Sequence, residues 1–589
     1  MTLQHVSNLR DALRAAGYDG WIQPRADEFQ GEYVPASAAR LAWLTGFSGS
    51  AGLAVVLMDK AAVFSDGRYT IQLKEELDLT VFEAHHMISN PPNEWVAKNL
   101  AKGAVLAYDP WLLTEAEVER FAAAAVKAGG TIAAADRNLI DEIWLNRPPA
   151  PVAPIHPHPL EFSGIGSAIK RRDIAEQLAK QSIDSALLTQ PDGIAWILNV
   201  RGADVEHTPL PLSFAILNSD ATIEWFVNPE KVDAKTKEWV GEEVEIKNIN
   251  SFAEELRKFS GKRILVSEAG PAAAVTIIKA AGADIVRGKD PTALPKAIKN
   301  PSEIAGARTA HKRDAIAVIR FLHWLSSEGQ TGKVGEIEAS DRLESYRREL
   351  DLFRDLSFPT ISGAGANGAI IHYRATQESE RKLVSGSLYL TDSGAQFIDG
   401  TTDITRTVAI GSPSEEMRKA YTLVLQGHLA VSGARFPKGT TGTQLDTLAR
   451  APLWTAGWDF DHGTGHGVGS YLSVHEGPHR ISKASSDVAL APGMILSNEP
   501  GYYRTDSFGI RIENLLLVVP LEIPGGERDT LGFETLTLAP YDRRLINVSM
   551  LSIAEREAVN LYHERVCAAL APSLTENDAE WLIAATAPL

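Results

Sequence analysis

The chain has 589 residues, a formal charge of -17 and a pI near 5.4. That is too long for one hydrophobic core and suggests roughly three or four domains, and the acidity argues against nucleic-acid binding, which rests on clustered Lys and Arg. A single cysteine, Cys567, excludes an intrachain disulfide and a thiolate zinc site.

In chain order, the opening MTLQHVSNLRDALRAAGYDG carries leucines at helical spacing rather than a basic segment followed by an apolar one. No apolar run approaches the roughly twenty residues that span a bilayer, so a cytoplasmic protein with no membrane partner is expected. LRDALRAAGYDGWIQP followed by LAWLTGF, and later IAEQLAKQSIDSALLTQP followed by IAWILNV, repeat one order of signals. In each, an amphipathic helix leads to a short apolar strand ending in Gln-Pro, then to a helix carrying Trp43 or Trp196, then to strand-rich sequence. The proline-rich NRPPAPVAPIHPHPL, Asn146 to Leu160, separates the two copies. GKDPTALPKAIKNPSEI punctuates a second boundary, after which EIAGARTAHKRDAIAVIRFLHWL has helical periodicity. Two related α/β domains, 1–150 and 151–303, are therefore expected ahead of a third block, 304–589.

The third block holds the chemistry. DFDHGTGHGVGSYLSVHEGPHR places four of the chain's fifteen histidines, His462, His466, His475 and His479, among glycines and small polar residues. A glycine-rich run has little use for histidine in packing, so metal or proton chemistry and ordinary polar surface are the two readings. Upstream, GSLYLTDSGAQFIDGTTDITRTVAIG sets Asp392 and Asp403 toward one end of two β-rich runs. Paired antiparallel, the runs would bring both carboxylates together, where they repel unless a cation neutralises them. The alternative is that both are turn or cap residues. Glu499 directly follows a short apolar strand in PGMILSNEPGYY, and Glu513 lies in the β-branched run GIRIENLLLVV, costly positions for a free carboxylate. Strand alternation puts Arg511 on the face of Glu513, so a network without metal is the competing reading there. Two Asp, two Glu and a histidine form an oxygen-rich donor set suited to a pair of divalent ions.

DSGAQFIDGTTDITRT, HGTGHGVG, SNEPGYY and RIEN occur in the order and spacing of the aminopeptidase P family of pita-bread metallopeptidases, which the sequence also resembles at IHYRAT, VHEGPHR and LGFETLT. GFSGSAG, DGRYTIQ, WLNRP and LNVRGADVEHTP are similar to the two non-catalytic domains of that family's three-domain cytosolic form. The resemblance implies two related α/β domains followed by a pita-bread α+β catalytic domain. It implies that Asp403 and Glu513 bridge two metal ions, that Asp392 completes the shell of one and that His466 with Glu499 completes the other. The ions would be Mn2+, with Zn2+ or Co2+ as alternatives. Glu499 would also accept a proton from the nucleophilic water, while His372, His462 and His475 would bind substrate or support proton transfer. His479 has no such counterpart and is expected to be structural. Arg68, in SDGRYT, would reach the substrate side, although an arginine after Asp-Gly is ordinarily a turn residue.

The implied reaction is removal of the first residue from peptides with proline second. That bond is a tertiary amide with no N–H on the leaving nitrogen, so a ring-shaped pocket must select it, and His475 with Tyr502 or Tyr503 is a candidate wall. A prolidase confined to Xaa-Pro dipeptides is the enzyme alternative, and a non-catalytic peptide-binding or chaperone module on the same scaffold is the alternative of another class. A homodimer is also implied, supported by the amphipathic tail SMLSIAEREAVNLYHERVCAAL.

Overall fold

The computed structural model describes residues 2–589, which fall into two compact units, one of 2–160 with Ile165–Ala293 and one of Glu161–Gly164 with Leu294–Leu589.

The first unit contains the same sheet twice. Its first six strands run in the order Glu83–His86, Ala61–Ser65, Leu53–Leu57, Gly20–Pro24, Val105–Tyr108 and Thr131–Ala134. The second sheet runs Val244–Asn248, Ile223–Val227, Phe214–Asn218, Ser185–Leu188, Arg263–Ser267 and Asp284–Gly288. Across either sheet the pairings read parallel, antiparallel, antiparallel, parallel and parallel. The repeated sequence signals therefore record a repeated topology. Central strands such as Leu53–Leu57 and Ala61–Ser65 are buried at every position, as continuous apolar runs require when both faces are covered. Trp43 lies on the helix Arg40–Thr45 and stacks on His5 at 4.0 Å, and Trp196, on Pro191–Leu198, lies under the Lys170 ammonium at 4.3 Å. In the first copy Pro24 closes the strand, whereas in the second Pro191 opens the helix, where its missing N–H has no partner to lose. The proline-rich segment is tethered at its end, with His156–Pro157 pairing antiparallel to Val200–Arg201.

The second unit carries the long helix Pro301–Ser327 near its start. Asn300 caps it, Glu303 closes a capping box and Pro301 occupies the first turn. KNPSE, which reads as boundary punctuation, is thus the start of the helix itself. Three sheets carry the site. One pairs Ser387–Ser393 between Ile361–Ala364 and Ile404–Ile410, antiparallel on both sides. The six-stranded sheet runs Phe436–Pro437, Thr530–Thr535, Asn514–Leu521, Ile495–Asn498, Gly465–Gly467 and Glu476–Ile481. A hairpin pairs Gly501–Arg504 with Phe508–Arg511. The helices Glu415–Ser432 and Gly442–Trp454 contribute Val424, Leu425, Leu445, Ala449 and Leu453 to the largest apolar core of the unit. The tail helix Ile553–Leu570, capped by Ser552, buries Val559, His563, Val566 and Leu570 within its own chain. Among the described residues, no helix is long and apolar enough to cross a membrane.

Candidate metal centre

Four carboxylates converge from strand ends. Asp392, on Ser387–Ser393, lies opposite Thr405 in the antiparallel ladder, and Asp403 immediately precedes the partner strand Ile404–Ile410. The antiparallel pairing expected of these runs is present. Glu499 directly follows Ile495–Asn498. Glu513 occupies the break between Phe508–Arg511 and Asn514–Leu521 rather than a continuous strand.

That break ends the alternation that would set Arg511 beside Glu513. The Arg511 guanidinium instead donates to Asp392 Oδ2 from Nη2 at 2.6 Å and from Nε at 3.1 Å. Glu513 accepts from Thr405 Oγ1 at 2.9 Å, and Arg406 donates to the Glu513 carbonyl at 2.7 Å, fixing the backbone of the break. His466 enters from Gly465–Gly467. Its Nδ1 donates to the Gly467 carbonyl at 2.9 Å, which turns Nε2 toward the cluster, 3.5 Å from Asp403 Oδ2 and 3.6 Å from Glu499 Oε1. Asp403, His466 and Glu513 each offer one ligand atom, all within 4.8 Å of one another.

Asp392, Asp403 and Glu513 are buried, whereas the side chains of His466 and Glu499 keep 21% and 18% exposure and form the approachable side. Burial raises Asp392, Glu513 and Glu499, and the neighbouring carboxylates raise them further against Arg511; Glu499 reaches about 7. Burial alone would lower His466, but Asp403 and Glu499 outweigh it and lift the ring to about 9. Two buried carboxylate oxygens, Asp392 Oδ1 and Asp403 Oδ1, have no hydrogen-bond partner. Orphaned carboxylate oxygens beside three convergent N and O donors fit the ligand chemistry of divalent cations.

The other histidines separate. His462 donates from Nδ1 to the Gly463 carbonyl at 2.7 Å, leaving Nε2 to accept from the Tyr503 hydroxyl at 2.8 Å, and Tyr503 in turn accepts from Arg511 Nη1 at 2.7 Å. Arg450, from Gly442–Trp454, holds that loop through the carbonyls of Phe460 and His462, at 2.6 and 2.8 Å. The His475 ring meets that of His466 edge-on at 4.3 Å. His372 is half-buried between two anchored neighbours, with Arg511 Nη2 donating to Ile371 O at 3.3 Å and the Tyr373 hydroxyl held at 2.8 Å by Glu336. His479 is buried against the Ile495 carbonyl at 2.9 Å, and desolvation lowers it to about 4. Tyr502 stacks on Trp458 at 4.4 Å as core, whereas Tyr503 joins the site. The glycines beside His466 are required by the neighbouring strands. A Cβ at Gly465 would strike the Ser497 carbonyl, and one at Gly467 the Glu476 carbonyl and the His479 ring. In the first unit, Arg68 pairs with Asp66 at 2.7 Å and approaches Glu32 at 3.5 Å. Neither Arg406 nor Arg450 stands out in sequence, since an arginine beside a strand or on a helix reads as surface.

Comparison with known proteins defines the class. Residues 305–520 match the model of metallopeptidase family M24 and 529–589 its C-terminal region, while 5–142 and 146–303 each match the creatinase/prolidase N-terminal domain. The chain is 37% identical to the "Probable Xaa-Pro aminopeptidase P" of Paracoccidioides brasiliensis (strain Pb03), over 100% of this chain and 99% of that protein. It is 36% identical to the aminopeptidase P1 of Arabidopsis thaliana, over 99% of each. The crystal structure of the X-prolyl aminopeptidase of Caenorhabditis elegans, described as a cytosolic enzyme with a di-nuclear active site, superposes with a TM-score of 0.96 at 31% identity and covers 100% of both chains. A prolidase of Pyrococcus horikoshii OT3 reaches a TM-score of 0.50 at 25% identity and covers only 64% of this chain. The chain belongs to the aminopeptidase P family of M24 metallopeptidases, with two creatinase-like α/β domains ahead of a pita-bread catalytic domain.

Proposed function

We propose that this protein hydrolyses the first peptide bond of peptides with proline second, and that Asp392, Asp403, His466, Glu499 and Glu513 hold two divalent metal ions, manganese before zinc or cobalt. The observation that carries the reading is the pair of orphaned oxygens, Asp392 Oδ1 and Asp403 Oδ1, within a cluster that offers one guanidinium to four carboxylates. Asp403 and Glu513 would serve both ions, Asp392 one of them, and His466 with Glu499 the other. When bound, such a pair supplies Lewis acidity and positive charge against the oxyanion of amide hydrolysis. Glu499, on the approachable side, takes the proton of the attacking water and returns it to the leaving nitrogen. His475 and His372 orient the substrate, and His462, fixed by Tyr503 and Arg511, stabilises the oxyanion.

Selection of proline belongs to the leaving-group side. A pocket shaped for the pyrrolidine ring needs no partner for an amide N–H, whereas alanine there leaves a donor unpaired at about 1–3 kcal/mol, or roughly ten- to hundredfold in rate. The reading extends to three domains, 1–150, 151–303 and 304–589, to a cytoplasmic location and to a homodimer. Turnover of Xaa-Pro-Yaa, Xaa-Ala-Yaa and Xaa-Pro by the Mn2+-loaded protein tests it. Cleavage of the first, with the second about ten- to hundredfold slower and all activity lost on chelation, is the expected result. Equal rates on the first two substrates would refute the specificity, and cleavage of the dipeptide alone would establish the prolidase reading.

A further inference from the structure

Among the buried carboxylates that the mechanism above does not use, Glu336 stands apart by its partners. Glu336 is fully buried at the first turn of the helix Glu336–Arg348, a position where an acidic residue ordinarily serves its own helix. It does not do so here. The N–H of Ile337 is taken by Glu380, from the segment 364–381, at 3.2 Å. The Glu336 carboxylate turns to that same segment instead. Oε1 accepts from the Ala364 N–H at 2.6 Å and from Asn367 Nδ2 at 3.0 Å, and Oε2 accepts from the Tyr373 hydroxyl at 2.8 Å and from the Arg381 N–H at 2.9 Å. Its main chain is tied as well, with its N–H donating to the Arg381 carbonyl at 3.2 Å and its carbonyl accepting from Ser362 Oγ at 2.7 Å.

We infer that Glu336 is a positioning residue for His372, its carboxylate being the knot that closes the segment 364–381 and holds the imidazole toward the metal centre. The inference rests on the substrate-side role proposed for His372. The segment is fixed from its other side too. Gly368 packs backbone to backbone against Gly509, where a Cβ would strike the Gly368 carbonyl, and Arg511 joins the Ile371 carbonyl to Asp392. His372 thus lies between Ile371, tied through Arg511, and Tyr373, tied through Glu336. Every group facing the carboxylate is a donor, and only the Tyr373 hydroxyl can reverse. Gln at 336 keeps the shape but points an amide NH2 at the N–H of Ala364 or of Arg381, which opens the knot without touching any of the five proposed ligands.

The test is a double-mutant cycle on the metal-loaded full chain with a Xaa-Pro-Yaa substrate, joined to metal analysis and limited trypsin digestion. Glu336→Gln should lower kcat/KM by about ten- to hundredfold through misplacement of the imidazole, leave metal content per chain unchanged and speed cleavage at the exposed Arg374. Glu336→Gln combined with His372→Ala should be no worse than His372→Ala alone. A multiplicative loss in the double variant, or loss of metal together with activity, overturns the positioning role. Wild-type kinetics for His372→Ala would refute the substrate-side assignment itself, and with it the route through which Glu336 is argued to act. If Glu336→Gln does not fold, Tyr373→Phe removes a single donor. It should produce a several-fold loss that vanishes on the His372→Ala background, and persistence of that loss there would overturn the proposal.

Discussion

Buried charge is handled differently in the two compact units. In the first, buried charges meet an opposite charge or a set of hydrogen-bonding groups. Arg40 lies between Glu28 and Asp141 at 2.7 Å from each, Lys231 meets Asp204 at 2.7 Å, and Asp27 accepts two backbone N–H groups. The second unit repeats this in Arg347 with Asp314 and in Lys296 and Lys299 on Glu476. Around Asp392, Asp403, Glu499 and Glu513 the balance shifts, because one guanidinium and two imidazoles, those of His466 and His462, face four carboxylates. Breaking a buried charge pair strands the remaining partner, whereas a buried anionic excess is a standing cost that protonation or a bound cation relieves.

The sharpest way to break that contrast is to remove a carboxylate from each kind of place. Asp403→Asn should lower turnover on the order of 10³-fold, since it deletes a group assigned to both ions. It should also raise the melting temperature of the metal-free protein by relieving repulsion on Glu513 and Asp392. Lys231→Met does the opposite. It strands Asp204 in a buried site, costing about 3–5 kcal/mol of stability, and should leave kcat/KM of the still-folded protein within about twofold. Denaturant unfolding and peptide assays of both variants separate the two cases, and a stability loss on Asp403→Asn without metal would end the distinction.

How much of this could be read from sequence depended on whether a signal was local. The duplication was legible because helix, strand and tryptophan recur in one order, and the carboxylates because an acid at the end of an apolar strand is out of place. The partner of Arg511 was not legible. Alternation pairs it with Glu513, and only the two-residue break after Phe508–Arg511 turns it to Asp392. Nor was the cap at Asn300, whose proline reads as linker punctuation until Glu303 closes the box. Glu336 gave no sign, being one acid among several in GEIEASDRLES, since its role is set by donors distant in the chain.

A smaller effect sharpens the contrast through pH. In the metal-free cluster Asp392, Glu513 and Glu499 are raised, the last from 4.5 to about 7, and His466 is raised from 6.5 to about 9. A group raised on folding stabilises the fold below its unfolded value, and that contribution fades as pH climbs through its folded value. Chelated protein should therefore lose stability from this cluster between about pH 4.5 and about pH 9. Bound cations demand the deprotonated donors, so the slope should vanish or reverse in Mn2+-loaded protein. Thermal unfolding with chelator and with metal across that range gives the difference, and parallel curves would contradict the assignment of these residues to metal.

The smallest expected effect on rate lies inside the histidine cluster, where burial separates two neighbours. His475 meets the His466 ring at 4.3 Å on the approachable side, whereas His479 is shut beneath Gly467 with its Nε2 on the Ile495 carbonyl. Desolvation holds His479 near 4, so it is neutral throughout the working range and carries no proton for the reaction. His479→Ala removes a buried ring and one hydrogen bond, costing about 1–3 kcal/mol of stability, yet turnover should change by no more than about threefold because the Gly465–Gly467 ladder still fixes His466. His475→Ala should do the reverse, lowering kcat/KM by about tenfold or more with little change in melting temperature. Kinetics and unfolding of the two variants under one set of conditions decide between them. Equal losses of rate would mean that His479 reaches the chemistry through Gly467, and that the division of this cluster into a working side and a packed side is wrong.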